Sequence, residues 1–169
     1  ENNHKLQEEV SAVASDRYLP EDFTLVVLAG GASSRMGKEK SDLILDGQTF
    51  LETQIRKGRQ LGAKKILISG YHGDCCSEEV VPDRIPGQGP LGGLESCLRK
   101  AETAKCLVLG VDTPLVPVEE LRSLLKYTME EADKPVTMLC HNGKEESLMA
   151  VYDAGLYKEI TDFLESGRS

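Results

Sequence analysis

A glycine-rich turn followed by basic residues is the part of this sequence whose residue types and spacing best suit chemistry. The turn follows the apolar run 23–27 and contains Gly30 and Gly31, with Arg35 and Lys40 a few residues further on. Adjacent glycines let the backbone approach a ligand closely and adopt positive φ, and their N–H groups can hold phosphate oxygens. Arg35 and Lys40 add fixed positive charge beside those groups. The pattern predicts a site for a nucleoside triphosphate.

Spacing excludes two better-known phosphate loops. The P-loop pattern G-x-x-x-x-G-K-[ST] places four residues between its glycines, whereas five separate Gly31 from Gly37, and Glu39 stands where the metal-binding hydroxyl belongs. The dinucleotide fingerprint G-x-G-x-x-G fails because Gly30 and Gly31 are adjacent. A tight turn with a solvated basic face is the structural alternative for the glycine pair alone, and the spacing of the cations favours the ligand site.

The elements that must position this turn alternate between strands and helices. Strands are predicted at residues 23–28, 65–69, 79–82, 106–111, 135–139 and 148–152. Helices are predicted to begin at the capping box Thr49 to Glu52, at Pro90, at Pro117 and at Asp153. Asn142-Gly143 predicts a hairpin turn. This alternation predicts an α/β fold with a three-layer, doubly wound, mostly parallel sheet, in which ligands bind at the carboxyl ends of the strands.

Two other chemical positions are expected at that same edge. Asp112 follows the central predicted strand, and a carboxylate there can hold Mg²⁺ on the phosphates of a nucleotide. A capping or turn aspartate is the structural alternative. A second glycine-rich loop, Gly89-Pro90-Leu91-Gly92-Gly93, opens a predicted helix whose N–H groups favour anions. Helix–sheet packing of small residues explains Gly92 and Gly93 about equally well.

These segments, in this order, resemble a known signature. L-A-G-G-x-x-x-R-M-G-x-x-K (28–40), G-P-L-G-G (89–93) and D-T-P (112–114) are similar to the motifs of nucleotidyltransferases for sugar phosphates and cofactors, and most of all to those of molybdenum cofactor guanylyltransferases. The resemblance covers residues 24–167 and implies a Rossmann-like fold of the nucleotide-diphospho-sugar transferase type. It implies Mg²⁺-dependent transfer of GMP from GTP to the phosphate of molybdopterin, with release of pyrophosphate. Such chemistry is mostly positioning and charge stabilisation, and the attacking phosphate is already ionised.

The resemblance also implies roles for individual residues. The implied catalytic residues are Arg35, Lys40 and Asp112, and Asp112 is also the implied metal ligand. The implied nucleotide-binding residues are Leu28, Ala29, Gly30, Gly31, Lys40, Ser69, Asp83, Gly89, Pro90, Leu91, Gly92 and Gly93. Ser69 stands where the family often has Asn near the base, so the detail of base contact differs from the family pattern.

Composition restricts the class of protein. The 169 residues predict one domain, and the formal charge of −8 disfavours nucleic-acid binding. No apolar run approaches the ~20 residues needed to cross a bilayer, and no signal peptide is visible. Five cysteines without a C-x-x-C pair predict a reducing, cytoplasmic location. We expect a tail or linker over 1–22 and a nucleotidyltransferase domain over 23–169, incomplete at its C-terminus because the family's later Asn-containing segment does not occur up to Ser169.

The expected partners are GTP, the molybdopterin cofactor, and a molybdoenzyme or a cofactor-delivery protein, with no nucleic acid or membrane. Two alternatives stay open. One is another small-molecule nucleotidyltransferase, acting from CTP on molybdopterin or on a sugar phosphate; cytidylyl relatives usually carry L-A-A-G where this chain has Leu28 to Gly31, and sugar-phosphate enzymes are commonly longer. The other is a nucleotide-sensing domain that has kept the pocket and lost catalysis.

Overall fold

The structure is a computed structural model, and it describes residues 22–30, 40–73 and 77–167. Strands in these ranges are β1 (Phe23–Leu28), β2 (Ile44–Leu45), β3 (Gln48–Thr49), β4 (Lys65–Ser69), β5 (Glu79–Val81), β6 (Lys105–Gly110), β7 (Val136–His141) and β8 (Lys144–Asp153). The α-helices are α1 (Phe50–Gln60), α2 (Gly89–Lys100), α3 (Val118–Glu130) and α4 (Tyr157–Glu165). Short 3₁₀ turns span Lys40–Asp42 and Ala154–Leu156. Apart from Asp22, the predicted tail lies outside the described residues.

The main sheet has the strand order β5-β4-β1-β6-β8-β7. Strands β5, β4, β1 and β6 pair in parallel, whereas β8 is antiparallel to both β6 and β7. The mostly parallel α/β sheet predicted from the sequence is therefore confirmed. Strands β2 and β3 form a separate two-stranded hairpin.

Helices cover both faces of the sheet, as the alternation of side chains along β1 shows. Phe23, Leu25 and Val27 point into a core shared with Leu51 and Ile55 of α1 and with Leu121 and Leu125 of α3. The intervening Val26 and Leu28 point into a second core, shared with Leu94 and Leu98 of α2. Successive side chains of a strand face opposite sides, so a strand covered on both faces is apolar throughout. All six residues of β1 are buried, which explains its nearly uninterrupted apolar sequence.

Local sequence signals placed several elements correctly. The predicted capping box begins α1: the Glu52 N–H donates to Thr49 Oγ1 at 3.1 Å and the Thr49 N–H donates to Glu52 Oε2 at 2.7 Å. These hydrogen bonds also hold the pKa of Glu52 below its usual value. Asn142 (φ 51°) and Gly143 (φ 75°) form the predicted hairpin turn between β7 and β8, and both strands are longer than predicted.

The prediction that Asp153 caps the final helix is wrong. Its side chain makes no capping hydrogen bond, and the chain passes first through the 3₁₀ turn Ala154–Leu156. The Asp153 carboxylate instead forms an ion pair with Lys105, its register partner on β6. The Asp153 carboxylate is therefore used in a contact with the neighbouring strand and not as the cap of the helix.

Among the described residues, none of the helices combines the length and the apolar character needed to cross a membrane. Cys97 and Cys106 are buried free thiols of the second core. Burial raises the pKa of each thiol to about 12.

Candidate functional site

The carboxyl ends of three parallel strands meet at one edge of the sheet. Leu28, the last residue of β1, is in register with Ser69 of β4 on one side and with Gly110 of β6 on the other. The pairing continues beyond the strands, since the Ala29 N–H donates to the Ser69 carbonyl at 2.8 Å and the Val111 N–H donates to the Leu28 carbonyl at 3.0 Å. The structure thus brings the start of the glycine turn, the end of β4 and the turn carrying Asp112 together.

The backbones of Gly30 and Gly70 touch at this edge. A Cβ on Gly30 would lie 2.9 Å from Gly70 Cα, and a Cβ on Gly70 would lie 2.4 Å from Gly30 Cα. Gly70 also has a φ of +73°, a conformation that other residues adopt only under strain. Two glycines are therefore required for the loops after β1 and β4 to lie side by side. The sequence predicts Gly70 only as the start of a turn, because its contact with Gly30 depends on the strand pairing.

A cleft of about 190 Å³ opens over these strand ends. Its lining residues are Leu28, Ala29, Gly30, Lys40, Pro90, Val111, Asp112 and Leu148. All three sequence motifs contribute to this lining. Val111 and Leu148 were not predicted; Leu148 belongs to β8, and no sequence signal places that strand beside β6. Gly31 and Arg35 lie outside the described residues, so their predicted roles stay predictions.

Lys40 and Asp112 face each other across the cleft. Lys40 Nζ lies 3.3 Å from Asp112 Oδ2, and the two side chains are 48% and 47% exposed. An ion pair this exposed stabilises a protein by less than about 1 kcal/mol. Either group can therefore leave the ion pair and bind a ligand at little cost in free energy. A Cβ on Gly110 would lie 2.9 Å from Asp112 Oδ1, so the glycine leaves room for the carboxylate.

Asp112 suits a metal site in which the protein supplies one carboxylate and the ligand supplies the other oxygen atoms. Within the described ranges, no group of three or more His, Cys, Asp or Glu side chains could hold a metal ion. That excludes an all-protein cage there, but Mg²⁺ on a nucleotide needs only one or two carboxylates beside the phosphate oxygens. Asp112 is a half-exposed carboxylate in the lining of the cleft and fits this requirement.

Ser69 and Asp83 form a second polar group beside the start of α2. Ser69 Oγ donates to Asp83 Oδ1 at 3.2 Å. A Cβ on Gly93 would lie 2.1 Å from Ser69 Oγ, and one on Gly92 would lie 3.1 Å from the Ile85 carbonyl oxygen. The structural alternative for these two glycines therefore has direct support: Gly93 lets α2 pack closely on the strand end at Ser69, and Gly92 leaves room for Gln88 and the Ile85 carbonyl in the loop before α2. That packing also brings the helix start, with Pro90, to the cleft.

The other two residues of this loop have different environments. Gly89 has a φ of +59°, and a Cβ there would meet nothing within 4 Å, so it serves the turn into α2. Leu91 packs on the second core. Their predicted nucleotide-binding roles stay predictions.

A buried carboxylate fixes the loop that carries Asp83. Glu95 of α2 is fully buried, accepts hydrogen bonds from Arg99 and Thr161, and pairs with Arg84 at 3.3 Å. Burial alone raises the pKa of Glu95, but the hydrogen bond from Thr161 and the charge and hydrogen bond of Arg99 outweigh it and lower the pKa. The Arg84 N–H also donates to Ser96 Oγ at 2.8 Å. The residue next to Asp83 is thus held to α2 through both its backbone and its side chain.

Two polar residues of α1 lie behind the Asp112 turn and were missed. Gln54 is fully buried, and its Nε2 donates to the Gly110 carbonyl at 2.7 Å and to the Thr113 carbonyl at 3.1 Å. Lys57 is 4% exposed and donates to the Pro114 carbonyl at 2.7 Å. Burial, together with the charge of Arg56, lowers the pKa of Lys57 to about 8. One sequence signal could have indicated the buried position of Gln54: it lies in the apolar i, i+3, i+4 stripe of α1.

The family model and the relatives that match this chain indicate the same family. Residues 25–169 match the MobA-like NTP transferase domain. A protein named as a probable molybdenum cofactor guanylyltransferase of Carboxydothermus hydrogenoformans is 34% identical over 145 residues, which are 85% of this chain and 72% of that protein. A molybdenum cofactor guanylyltransferase of Xanthomonas euvesicatoria is 41% identical over 108 residues, 63% of this chain and 56% of that protein.

Solved structures agree on the fold. The crystal structure of molybdopterin-guanine dinucleotide biosynthesis protein A from Archaeoglobus fulgidus superposes with a TM-score of 0.68 at 23% identity. The match covers 85% of this chain and 74% of that one.

Proposed function

Because this chain belongs to the family of MobA-like NTP transferase domains, we propose that it is a molybdenum cofactor guanylyltransferase. It transfers GMP from GTP to the phosphate of molybdopterin and releases pyrophosphate. Curated relatives at 34% and 41% identity carry that name. The structural observation that carries the proposal is the shared sheet edge, where the start of the glycine turn, Lys40 and Asp112 line one cleft.

The phosphate end of the site is assigned to the residues after β1 and β6. The backbone at Ala29 and Gly30 lies beside the triphosphate without donating to it, because both N–H groups donate to the Ser69 carbonyl, at 2.8 and 3.2 Å. Lys40 leaves Asp112 to neutralise the phosphates. Arg35 adds a second cation in this proposal. Asp112 holds Mg²⁺, which when bound offsets the charge that develops on the departing pyrophosphate. No general base is needed, since the attacking phosphate is already ionised.

The base end is assigned to Asp83 and Ser69. The Ser69 hydroxyl donates a hydrogen bond to Asp83 Oδ1 at 3.2 Å. The other carboxylate oxygen, Oδ2, takes no part in that bond. Guanine presents two adjacent donors, N1–H and the N2 amino group, whereas adenine and cytosine present a ring acceptor at the corresponding position. A carboxylate acceptor therefore favours guanine. Its position is held by the contacts of Arg84 with Ser96 and Glu95.

A nucleotide panel tests this function. We expect GTP to be used at least about tenfold better than ATP, CTP or UTP, because one hydrogen bond to a charged group contributes about 1.5–3 kcal/mol. The measurement is chromatographic product analysis with each triphosphate, Mg²⁺ and molybdopterin, with a control lacking molybdopterin. Equal use of CTP, or no turnover with GTP, would contradict the proposal.

The expected surroundings of the enzyme also remain proposals. A cytoplasmic location is supported by the free thiols of Cys97, Cys106 and Cys140 in the described part of the chain, because thiols stay reduced in that compartment. A molybdoenzyme or a cofactor-delivery protein would receive the finished dinucleotide, because the product is a cofactor.

A further inference from the structure

Helix α1 places two buried polar side chains beneath the turn that carries Asp112. Gln54 Nε2 donates to the carbonyls of Gly110 and Thr113, at 2.7 and 3.1 Å. Lys57 Nζ donates to the carbonyl of Pro114 at 2.7 Å. The three accepting carbonyls lie on both sides of Asp112 in the chain. The backbone of this turn is thus held from behind at each end by one helix.

Both side chains are costly in this position. Lys57 is an ammonium group at 4% exposure, and the carbonyl of Pro114 is its hydrogen-bond acceptor. Gln54 Oε1 is buried without a hydrogen-bond partner in the described part of the chain. Buried charges and unpaired polar atoms destabilise a fold, and apolar side chains of the same size are often equal or better there. What these two side chains contribute beneath the turn is therefore their hydrogen bonds to its carbonyls rather than apolar packing.

We propose that Gln54 and Lys57 are positioning residues, which fix the Gly110–Pro114 turn so that the Asp112 carboxylate faces Mg²⁺ on the bound nucleotide. This inference rests on the function proposed above. The Asp112 side chain is half exposed, and among the described residues Lys40 is its ion-pair partner at the cleft. Its direction is therefore set mainly by its backbone, which Gln54 and Lys57 hold from the side away from the cleft. Groups that orient a ligand residue in this way tune metal affinity without touching the metal.

Metal binding to a non-reacting complex separates positioning from stability. The variants are Gln54→Met, which keeps the side-chain length, and Lys57→Met, which shortens the unbranched side chain by one atom; both remove the donor. The probe is Mn²⁺, titrated by electron paramagnetic resonance into protein saturated with the α,β-methylene analogue of GTP. We expect the Mn²⁺ affinity to fall about tenfold in each variant, within the range for residues that orient metal ligands. Hydrogen–deuterium exchange at residues 110–116 is expected to become faster.

A buried polar pair far from the cleft supplies the matched control. Thr24 and Thr103 share a 2.8 Å hydrogen bond near the opposite end of β1. Thr24→Val removes a buried hydrogen bond without touching the Asp112 turn. It is expected to lower the melting temperature and to leave the Mn²⁺ affinity at the wild-type value.

The outcomes distinguish this inference from the proposed function. If Asp112→Asn weakens Mn²⁺ binding while both methionine variants bind it like wild type, the positioning role is wrong and the function stands. If Asp112→Asn itself binds Mn²⁺ like wild type, the metal role of Asp112 is wrong and the positioning role falls with it. Should Gln54→Met fail to fold, Lys57→Met tests the same turn from its other end.

Discussion

Replacing Asp112 with Asn is expected to lower Mg²⁺-dependent turnover by about 100- to 1,000-fold. A metal ion supplies several kcal/mol of transition-state charge stabilisation, and each 1.36 kcal/mol corresponds to a factor of ten in rate. The amide keeps the shape of the carboxylate and removes its charge, so the substitution tests metal holding directly. It also removes the ion pair with Lys40, which is exposed and contributes little to stability. Steady-state rates at increasing Mg²⁺ concentration provide the measurement.

Asp153→Asn is the matched control for this substitution. Asp153 pairs with Lys105 at the start of β6, at the other end of the strand from Asp112. The same change of charge there leaves the cleft intact, so turnover is expected to stay near the wild-type rate. A near-normal rate for Asp112→Asn would remove Asp112 from its proposed role.

Replacing Gly70 with Ala is expected to reduce turnover with GTP about 100-fold and to destabilise the fold. The new Cβ would lie 2.4 Å from Gly30 Cα, so the loops after β1 and β4 must separate. Overpacking of this kind costs about 1–3 kcal/mol, and a displacement near 1 Å at a reacting centre can cost about 100-fold in rate. The positive φ of Gly70 adds strain of about 1–2 kcal/mol. Urea unfolding and GTP kinetics on the same preparation give both quantities.

Gly62→Ala is the control that separates the effect of the Gly30–Gly70 contact from the effect of backbone strain. Gly62 has a φ of +82°, close to that of Gly70, but a Cβ there would meet nothing within 4 Å. It follows α1, away from the lining of the cleft. We expect Gly62→Ala to lose stability and to keep its turnover with GTP. If Gly62→Ala lost as much turnover as Gly70→Ala, the Gly30–Gly70 contact would not be the cause.

Those parts of the fold that depend on short-range chemistry could be predicted from the sequence. The buried strand Phe23–Leu28 is apolar at nearly every position, the capping box begins α1, and Asn142-Gly143 forms its turn from two residues that tolerate positive φ. The common location of the glycine turn and Asp112 also followed, because parallel strands end at one edge.

The parts that were missed depend on which elements become neighbours. Gly70 matters because β4 pairs with β1, and Leu148 reaches the cleft because β8 lies beside β6. Gln54 and Lys57 are ordinary polar helix residues until α1 packs behind the Asp112 turn. Asp153 was assigned to a helix cap because Lys105, its actual partner, is 48 residues away in the sequence and next to it only in the sheet.

The proposed reaction is tested most directly by finding which products contain the α- and the γ-phosphorus of GTP. Protein, Mg²⁺ and molybdopterin are incubated with GTP labelled at either the α- or the γ-phosphorus, and the products are separated. Transfer of GMP predicts α-label in the molybdopterin guanine dinucleotide and γ-label in pyrophosphate, both dependent on added molybdopterin. Release of γ-label as orthophosphate, or tight GTP binding with no label transferred, would contradict it.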